Sequence, residues 1–529
     1  MKRRDFFRNT LPAAVTLPSI FSGLSVKAFT ENHPLVRALL GSATDTDKVL
    51  VLVQLNGGND GLNTVIPIEF YGNYFNARPN IAIPQNKILT LNGVTKTGIH
   101  PFMTGFQNMY NEGQLAIVQS VGYPSPNFSH FRATDIWMSG SEADQIINSG
   151  WVGRYLNTEY PNFPEGYPTT QMPDPLAIQI GSISSLALQG PGTNMGISIS
   201  NPNNFYDFLD GVEDPVPDTR WGKELKYIRM IGKQTEKYTT VIKAAAARVT
   251  VQGTYPSNND LARELKIVAR LIKGGLKTRI YMVSTGGFDT HSNQTDANDS
   301  TIGNHANLLL KVSSAIKAFT DDLKGLGVDD RVIGMTFSEF GRRIKSNASI
   351  GTDHGAAAPL FVFGKNVRGG VIGNNPIIPT NVGFNDNIAY QYDFRSIYAS
   401  ILSQWFCVKP TDLQTIMLKN FQEIPLAINS ACGSTGLDDI IRGSGEQLIV
   451  NYPNPFVEST TVTFRTKGGH TLIQIIDPLG RVIRTLADKE YIQGTYTVTF
   501  DSMGLPLGVY YARLQNGSLQ QVRAMLKTR

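Results

Sequence analysis

Between Arg331 and Gly364 the chain reads RVIGMTFSEFGRRIKSNASIGTDHGAAAPLFVFG, two apolar runs with carboxylates, arginines and a histidine between them. Side chains of these types, gathered at the edge of a sheet, can hold a divalent cation or stabilise a developing negative charge. The run RVIGMTF is short and β-branched at its start. It reads as a buried strand that delivers Glu339 and Arg342 to its carboxyl end, where open α/β sheets place their ligands. PLFVFG reads as a second such strand. Asp353 and His354 stand in the Gly-rich segment before it, where a reversal of the backbone would bring them over the same edge. Taken singly, each residue also has a plain alternative: Thr352 and Asp353 can make an Asx-type turn, and Glu339 can pair with Arg342 or Arg343.

Three further clusters follow apolar runs. KVLVLVQL ends in Asn56-Gly57-Gly58-Asn59-Asp60-Gly61-Leu62-Asn63. No Gly-Lys-Ser/Thr follows, so a phosphate-cradling loop is disfavoured, and Asp60, Asn56, Asn59 and Asn63 are candidate oxygen ligands or substrate contacts. TRIYMVSTGG ends in Phe288-Asp289-Thr290-His291, where glycines supply the turn that lets Asp289 and His291 reach one cation. After the strand QLAIVQSVG comes PSPNFSHFRATDIWMSG, with Ser129, His130 and Arg132 at the mouth of a helix. A serine there gains neighbouring backbone N–H groups and can become a nucleophile, or can simply cap the helix. His100, His130 and His305 near helix starts can equally be structural.

The elements that position these residues alternate as strand, polar loop and helix from Lys48 to Trp405, which argues for a doubly wound, mostly parallel α/β sheet with right-handed crossovers. KVLVLVQL is apolar throughout, as a central strand buried on both faces should be. HPFMTGFQNMYNEG, the segment from His305 to Gly327 and DFRSIYASILSQWF read as flanking helices, and residues 218–275 read as an inserted helical pair. From Gln447 the texture changes to short alternating strands separated by turns, an all-β immunoglobulin-like sandwich over 447–529 joined by a Gly/Ser-rich linker over 431–446.

At 529 residues the chain is long enough for two or three domains. Residues 1–28 form a basic region followed by a short apolar one, and Arg3-Arg4 before Asp5-Phe6-Phe7 resembles a twin-arginine export signal; a polar linker over 29–47 follows. The net charge of +5 is concentrated in that leader, where Lys2, Arg3, Arg4, Arg8 and Lys27 oppose only Asp5. The remainder is nearly neutral and carries no basic block with interleaved aromatics, so nucleic acid is not an expected partner. No later stretch is apolar enough for a transmembrane helix. Cys407 and Cys432 are the only cysteines. A metal must therefore rely on His and carboxylate ligands.

Two resemblances rest on longer phrases. NYPNPFVESTTVTF, IIDPLGRVIRTL, GTYTVTFD and LPLGVYYARLQNG resemble the C-terminal sorting domain of the type IX secretion system. This implies handling by that machinery and passage to the outside of a Gram-negative cell, with release or attachment at its surface. QLNGGNDGLN, SHFRATDIW, GGFDTH, FSEFGRR and GTDHGAAAPLFVFG resemble the secreted domain of unknown function 1501 family, which looks like a branch of the alkaline phosphatase and sulfatase superfamily. The resemblance implies an alkaline phosphatase-like sheet around one or two divalent metals and a Ser/Thr or modified-Cys nucleophile. Asp289 with His291 matches the middle ligand pair, His354 the final histidine, and Ser129 is the closest candidate nucleophile, outside any sulfatase cysteine motif. Asn56 stands where a metal-binding Asp usually ends the first strand. Glu339 and Phe340 stand where an Asp and a His usually follow a later strand.

The expected function is an exported, metal-dependent hydrolase of phosphate or sulfate esters. Ser129 would attack, with His130 beside it; Asp60, Asp289, His291, Glu339, Asp353 and His354 would supply metal ligands; and Arg132 or Arg342 would stabilise charge. Asn56, Asn59, Asn63 and His305 would contact a small ester or glycan substrate. The cation is expected to be zinc, with calcium or magnesium as alternatives. The competing expectation is a non-catalytic surface protein that keeps the fold and binds a glycan or a partner, a reading favoured by Asn56 and Phe340.

Overall fold

The apolar run at Val49–Leu55 becomes strand β1, buried along its whole length because alternate side chains leave it for opposite layers. Leu50 and Leu52 join one core and Val49, Val51, Val53 and Leu55 the other. A computed structural model of the chain describes residues 47–181, 184–200, 236–427 and, with isolated exceptions, 449–528. Two compact units result, one spanning Ala43–Cys432 and the other containing Gly433–Arg529.

In the larger unit β1 is followed by β2 (Leu115–Gly122), β3 (Ala177–Ile180), β4 (Ile197–Ile199), β5 (Ile280–Thr285), β6 (Val332–Phe337), β7 (Ala358–Phe363), β8 (Gly370–Ile372) and β9 (Tyr392–Asp393). These form a nine-stranded sheet in the order β8-β2-β7-β6-β1-β5-β3-β4, with β9 also paired to β2. β1 runs parallel to both β5 and β6, while β7 runs antiparallel to β2 and β6. The sheet is thus doubly wound and mostly parallel. PLFVFG is nevertheless not a further parallel strand. Because β7 is reversed, its amino end lies at the edge where β1, β2, β5 and β6 end, and the residues preceding it reach that edge without the long return a parallel strand would need.

Helices α1 (Thr104–Asn111), α4 (Asp260–Lys273) and α5 (Asn304–Leu326) cover one face, contributing Phe106, Leu265 and Ile316 to its core. Helices α2 (His130–Ser139), α3 (Trp151–Glu159) and α6 (Phe394–Gln404) cover the other with Trp137, Trp151 and Tyr398. Of the inserted helical pair expected over 218–275, residues 236–247 and α4 are helical, and the first part lies outside the described residues. β3 and β4 were not expected; they are strands of four and three residues, β4 at the edge of the sheet and β3 next to it, set among Gly, Pro and Ser and too short to show a period.

The smaller unit is all-β. Ile449–Tyr452, Ser459–Thr466 and Gly494–Asp501 form one antiparallel sheet, and Gly469–Ile476, Val482–Tyr491, Gly508–Asn516 and Leu519–Lys527 another. Val462 and Phe464 from the first and Ile473, Ile475 and Leu514 from the second share one core, the arrangement of a sandwich. No helix among the described residues is long and apolar enough to cross a membrane. Cys407 is disulfide-bonded. Cys432, the export signal at 1–28 and the linker at 431–446 lie outside the described residues, as does the linker at 29–47 except for Asp47.

Candidate metal centre

The loop after β1 must pass directly against the loop after β5. Gly57 has φ +122°, and a Cβ there would lie 2.3 Å from the Asp289 amide nitrogen, so only glycine fits. Gly351 allows a second close approach, since a Cβ would sit 2.4 Å from the His291 carbonyl oxygen. A hairpin of Arg342–Ser346 with Thr352–His354, in which Arg342 pairs with His354, carries the third segment to the same place. Arg342 fastens the three. Its guanidinium is buried and donates to the carbonyls of Gly58 (2.7 Å), Thr352 (2.9 Å), Phe288 (3.0 Å) and Gly57, and to Asp289 Oδ1 (2.7 Å). Every guanidinium nitrogen is engaged within the protein. Arg342, expected to meet substrate charge, instead holds the site's frame.

Four side chains converge on this frame. Asp289 Oδ1 lies 3.2 Å from His291 Nε2 and 3.2 Å from His354 Nε2, and the two Nε2 atoms are 2.9 Å apart. His130 approaches the other Asp289 oxygen, with Nε2 at 3.5 Å from Oδ2. Ligating atoms of His130, Asp289 and His354 all lie within 4.8 Å of one another. Each imidazole is held from behind through Nδ1: His354 by the Phe128 carbonyl at 2.7 Å, His291 by Asp353 Oδ1 at 3.2 Å, and His130 by Glu339 Oε1 at 2.7 Å. A carbonyl or carboxylate oxygen can only accept, so Nδ1 carries a proton, and in its neutral form each ring presents the Nε2 lone pair to the centre. Lone pairs facing at this range beside a carboxylate repel unless positive charge sits among them. A proton shared by two rings relieves one contact; a cation relieves all three. A tetrahedral zinc with ligands at about 2.0–2.1 Å has ligand-to-ligand edges of about 3.3 Å. The three closest donors match that edge, so the residues fit a divalent cation.

The carboxylates expected as ligands divide into separate roles. Asp289 faces the centre. Glu339 is buried, accepts the Gly57 amide at 2.8 Å as well as His130, and stands behind that histidine. Asp353 stands behind His291 and also accepts from Asn347 Nδ2 at 3.3 Å. Asp60 is buried away from the centre in an ion pair with Arg78 at 2.7 Å and accepts from Gln294 Nε2 at 2.6 Å. It is a structural carboxylate.

Three of the four expected substrate contacts are internal, and Asn56 is half-buried. Asn59 is 2%, Asn63 0% and His305 1% exposed. Asn59 accepts from Thr64 and His305, and Asn63 accepts from Tyr74 and Arg78 and donates to the Ile81 carbonyl. Asn56 ties the end of β1 to the loop after β5 through its main chain, its carbonyl accepting from the Phe288 amide. Arg132 turns away and donates to the carbonyls of Glu142, Ala143 and Gln145. Ser129 is the N-cap of α2 with an exposed side chain that caps no amide. The next residue, His130, is the one brought to the centre. Phe340 is buried with its ring 4.9 Å from that of His130 and 4.5 Å from that of His354. Sequence reasoning missed the Phe128 carbonyl, Arg78, Gln294 and Asn347. A main-chain carbonyl leaves no residue-type signal, and isolated polar residues in loops carry no period.

Burial alone would raise the Asp289 carboxyl, but Arg342, with His354 and His291, outweighs it and holds the group below its ordinary value. Burial lowers the His354 imidazole and favours the neutral, ligating form. Burial also pushes His305 down to about 4 and His100 down to about 3. Unfolded, both take up a proton near pH 6.5. Between those values the unfolded chain binds more protons, so the stability these groups contribute is complete above about pH 6.5 and is lost as pH falls toward 4. The urea midpoint of chelator-treated protein should therefore fall between about pH 7 and about pH 5, ahead of ordinary carboxylate titration. A flat midpoint over that interval would contradict neutral burial.

Residues 214–404 match the family described as Protein of unknown function (DUF1501), and residues 450–528 match the Secretion system C-terminal sorting domain. The chain carries both domains. The sorting domain marks a secreted or cell-surface protein. No curated protein matches the chain. Similar solved structures include a protein in the alkaline phosphatase superfamily from Vibrio parahaemolyticus, 11% identical over 84% of this chain and 82% of that one, TM-score 0.32. A sulfatase from Pseudoalteromonas sp. is 12% identical over 88% and 87%, TM-score 0.32. A structure concerned with the metabolism of multiple glycosaminoglycans by Bacteroides thetaiotaomicron is 8% identical over 90% and 89%, TM-score 0.34.

Proposed function

We propose that the DUF1501 region is a hydrolase of phosphate or sulfate esters that uses one divalent cation held by Asp289, His291 and His354. The observation that carries this reading is the 2.9 Å approach of two Nε2 atoms whose Nδ1 atoms are both tied to oxygen acceptors. A donor set rich in imidazole favours zinc over calcium or magnesium, which prefer oxygen. Bound there, the cation would supply Lewis-acid polarisation of the ester and a lowered water pKa.

The remaining chemistry falls to the chain. His130 is oriented by buried Glu339 at 2.7 Å and turns Nε2 to the open side of Asp289, so it takes a proton from an attacking water and returns it to the leaving oxygen. Glu339 stabilises the imidazolium formed in between. Phe340 stands at the position that the family resemblance assigns to a further histidine ligand, and a phenyl ring ligates no metal, which favours a single cation. A surface-binding protein that uses the same cation structurally is the second reading, and Phe340 supports it.

The test is hydrolysis of chromogenic aryl phosphate and aryl sulfate by purified protein. Activity should disappear on chelation, return with zinc, and fall about 10²–10⁴-fold in His130→Gln while zinc stays bound. Stoichiometric zinc without turnover of any ester would favour the second reading.

The two units each have a core of their own. A chain ending at Ser444 is therefore expected to keep the cooperative unfolding of the larger unit and to stay inside the outer membrane. Cell fractionation and thermal unfolding check this; an unfolded truncated chain would contradict it.

A further inference from the structure

Asp289 and His291 stand about half exposed, so packing around their side chains holds them only in part. Thr290, between them, turns the other way and is buried. Thr352, two residues before His354 on the same short strand of the hairpin, is buried as well. The two threonines belong to different loops, yet their hydroxyls meet at one atom. Gln294 Oε1 lies 3.0 Å from Thr290 Oγ1 and 2.8 Å from Thr352 Oγ1.

The direction of each bond follows from the partners. Gln294 is 0% exposed, and its Nε2 lies 2.6 Å from Asp60 Oδ2. A carboxylate paired with Arg78 can only accept, so the amide must turn Nε2 to Asp60 and Oε1 to the threonines. Both hydroxyls then donate, and they use both lone pairs of Oε1. The base of the side chain is fixed too: the Gln294 amide donates to the Ile350 carbonyl at 2.8 Å, and its own carbonyl accepts the His305 amide at 3.0 Å. A rigidly rooted acceptor shared by the neighbours of two ligands holds those ligands at a set distance. Only one main-chain bond assists it, from the Thr352 amide to the Thr290 carbonyl at 3.1 Å.

We propose that Gln294 is a positioning residue for the centre: by accepting from Thr290 and Thr352 it clamps the loop of Asp289 and His291 to the hairpin of His354, and so sets the 2.9 Å spacing of the two Nε2 atoms. The proposal rests on the hydrolase reading for the cation those atoms hold, but the clamp itself needs no cation. Asp60 serves it only by orienting the amide. Without Asp60 both threonine bonds remain, so loss of Gln294 and loss of Asp60 differ in their effect on zinc.

Three variants of the full chain test it. Gln294→Met keeps the length of the side chain and leaves two buried hydroxyls without their acceptor, which moves the loops that carry them. Thr290→Val with Thr352→Val removes the donors instead, and Thr290→Ser with Thr352→Ser keeps them. Zinc affinity is read by competition with a chromogenic chelator, and ligand geometry by the visible bands of the cobalt(II)-loaded chain. Gln294→Met and the double valine variant should each bind zinc about tenfold or more weakly, as when a group supporting a ligand is lost, and should shift the cobalt bands. The double serine variant should restore both. Valine has the shape of threonine, so the double valine variant decides the matter should Gln294→Met misfold. A purely structural clamp would lower the urea midpoint of the chelator-treated chain and leave affinity and bands unchanged; that result, or an equal loss in the double serine variant, would overturn the positioning role. Failure of the unaltered chain to bind zinc would sink the hydrolase reading instead. The clamp would then be read in the imidazole nitrogen NMR signals of His291 and His354 without metal, which the double valine variant should move and which, unmoved, would overturn it.

Discussion

His354→Ala is expected to abolish tight cation binding. His354 supplies one of the three donors spaced at 2.9–3.2 Å, and its orientation is already fixed by the Phe128 carbonyl at 2.7 Å. Two donors, His291 Nε2 and one Asp289 oxygen, would remain at the nearest positions. His130 lies farther off, and Glu339 and Asp353 are turned away behind their histidines. Disturbing a residue that merely supports a ligand costs about 10–100-fold in affinity, so losing the ligand should cost at least the upper end of that range. A cation at about 100 times its dissociation constant stabilises the native state by about 2.7 kcal/mol. In the variant that increment should vanish, so melting curves with and without zinc should coincide, whereas those of the unaltered protein should separate. Alanine at a histidine that only shaped a turn would leave the separation in place.

The second large effect concerns Asp60, which the sequence presents as a ligand and the structure buries against Arg78. Burial alone would raise its carboxyl, but Arg78 and Gln294 together hold it below its ordinary value. The stability it contributes is thus present above its unfolded pKa of about 3.9 and lost as pH falls below it. Asp60→Ala leaves the Arg78 guanidinium, 0% exposed, without its carboxylate, and Arg78→Met leaves the carboxylate without its cation. Removing one partner of a buried pair costs about 3–5 kcal/mol, a large share of the roughly 5–15 kcal/mol that holds a domain together. Urea unfolding should show that loss in both variants, with zinc content per folded chain unchanged. Loss of zinc with little loss of stability in Asp60→Ala would instead make Asp60 a ligand.

What could be read from the sequence depended on length and period. KVLVLVQL, TRIYMVST and RVIGMTF are long apolar runs, and they became β1, β5 and β6, side by side at the middle of the sheet. The reversal of β7 was not legible, because a short buried strand reads alike in both directions. Asp289, His291 and His354 were legible as residues following or preceding such strands. Their division of labour with Glu339 and Asp353 was not, since a carboxylate facing a cation and one facing the back of an imidazole have the same residue type. Asp60 misled for a related reason: its partner Arg78 is 18 residues away and nothing local marks the pair. Arg132 and Arg342 misled because an arginine near a strand end satisfies main-chain carbonyls as readily as a substrate.

The most direct measurement is the metal content of the purified chain after loading with zinc and exhaustive desalting, by inductively coupled plasma mass spectrometry. The expected result is one zinc per chain, retained at neutral pH and removed by chelator, as the proposed donor set of Asp289, His291 and His354 offers its three closest donors to one cation. A zinc content near zero would mean that the two Nε2 atoms share a proton rather than a cation. Two zinc ions per chain would require a second donor set beyond Asp289, His291 and His354, and either result would contradict the single-cation centre.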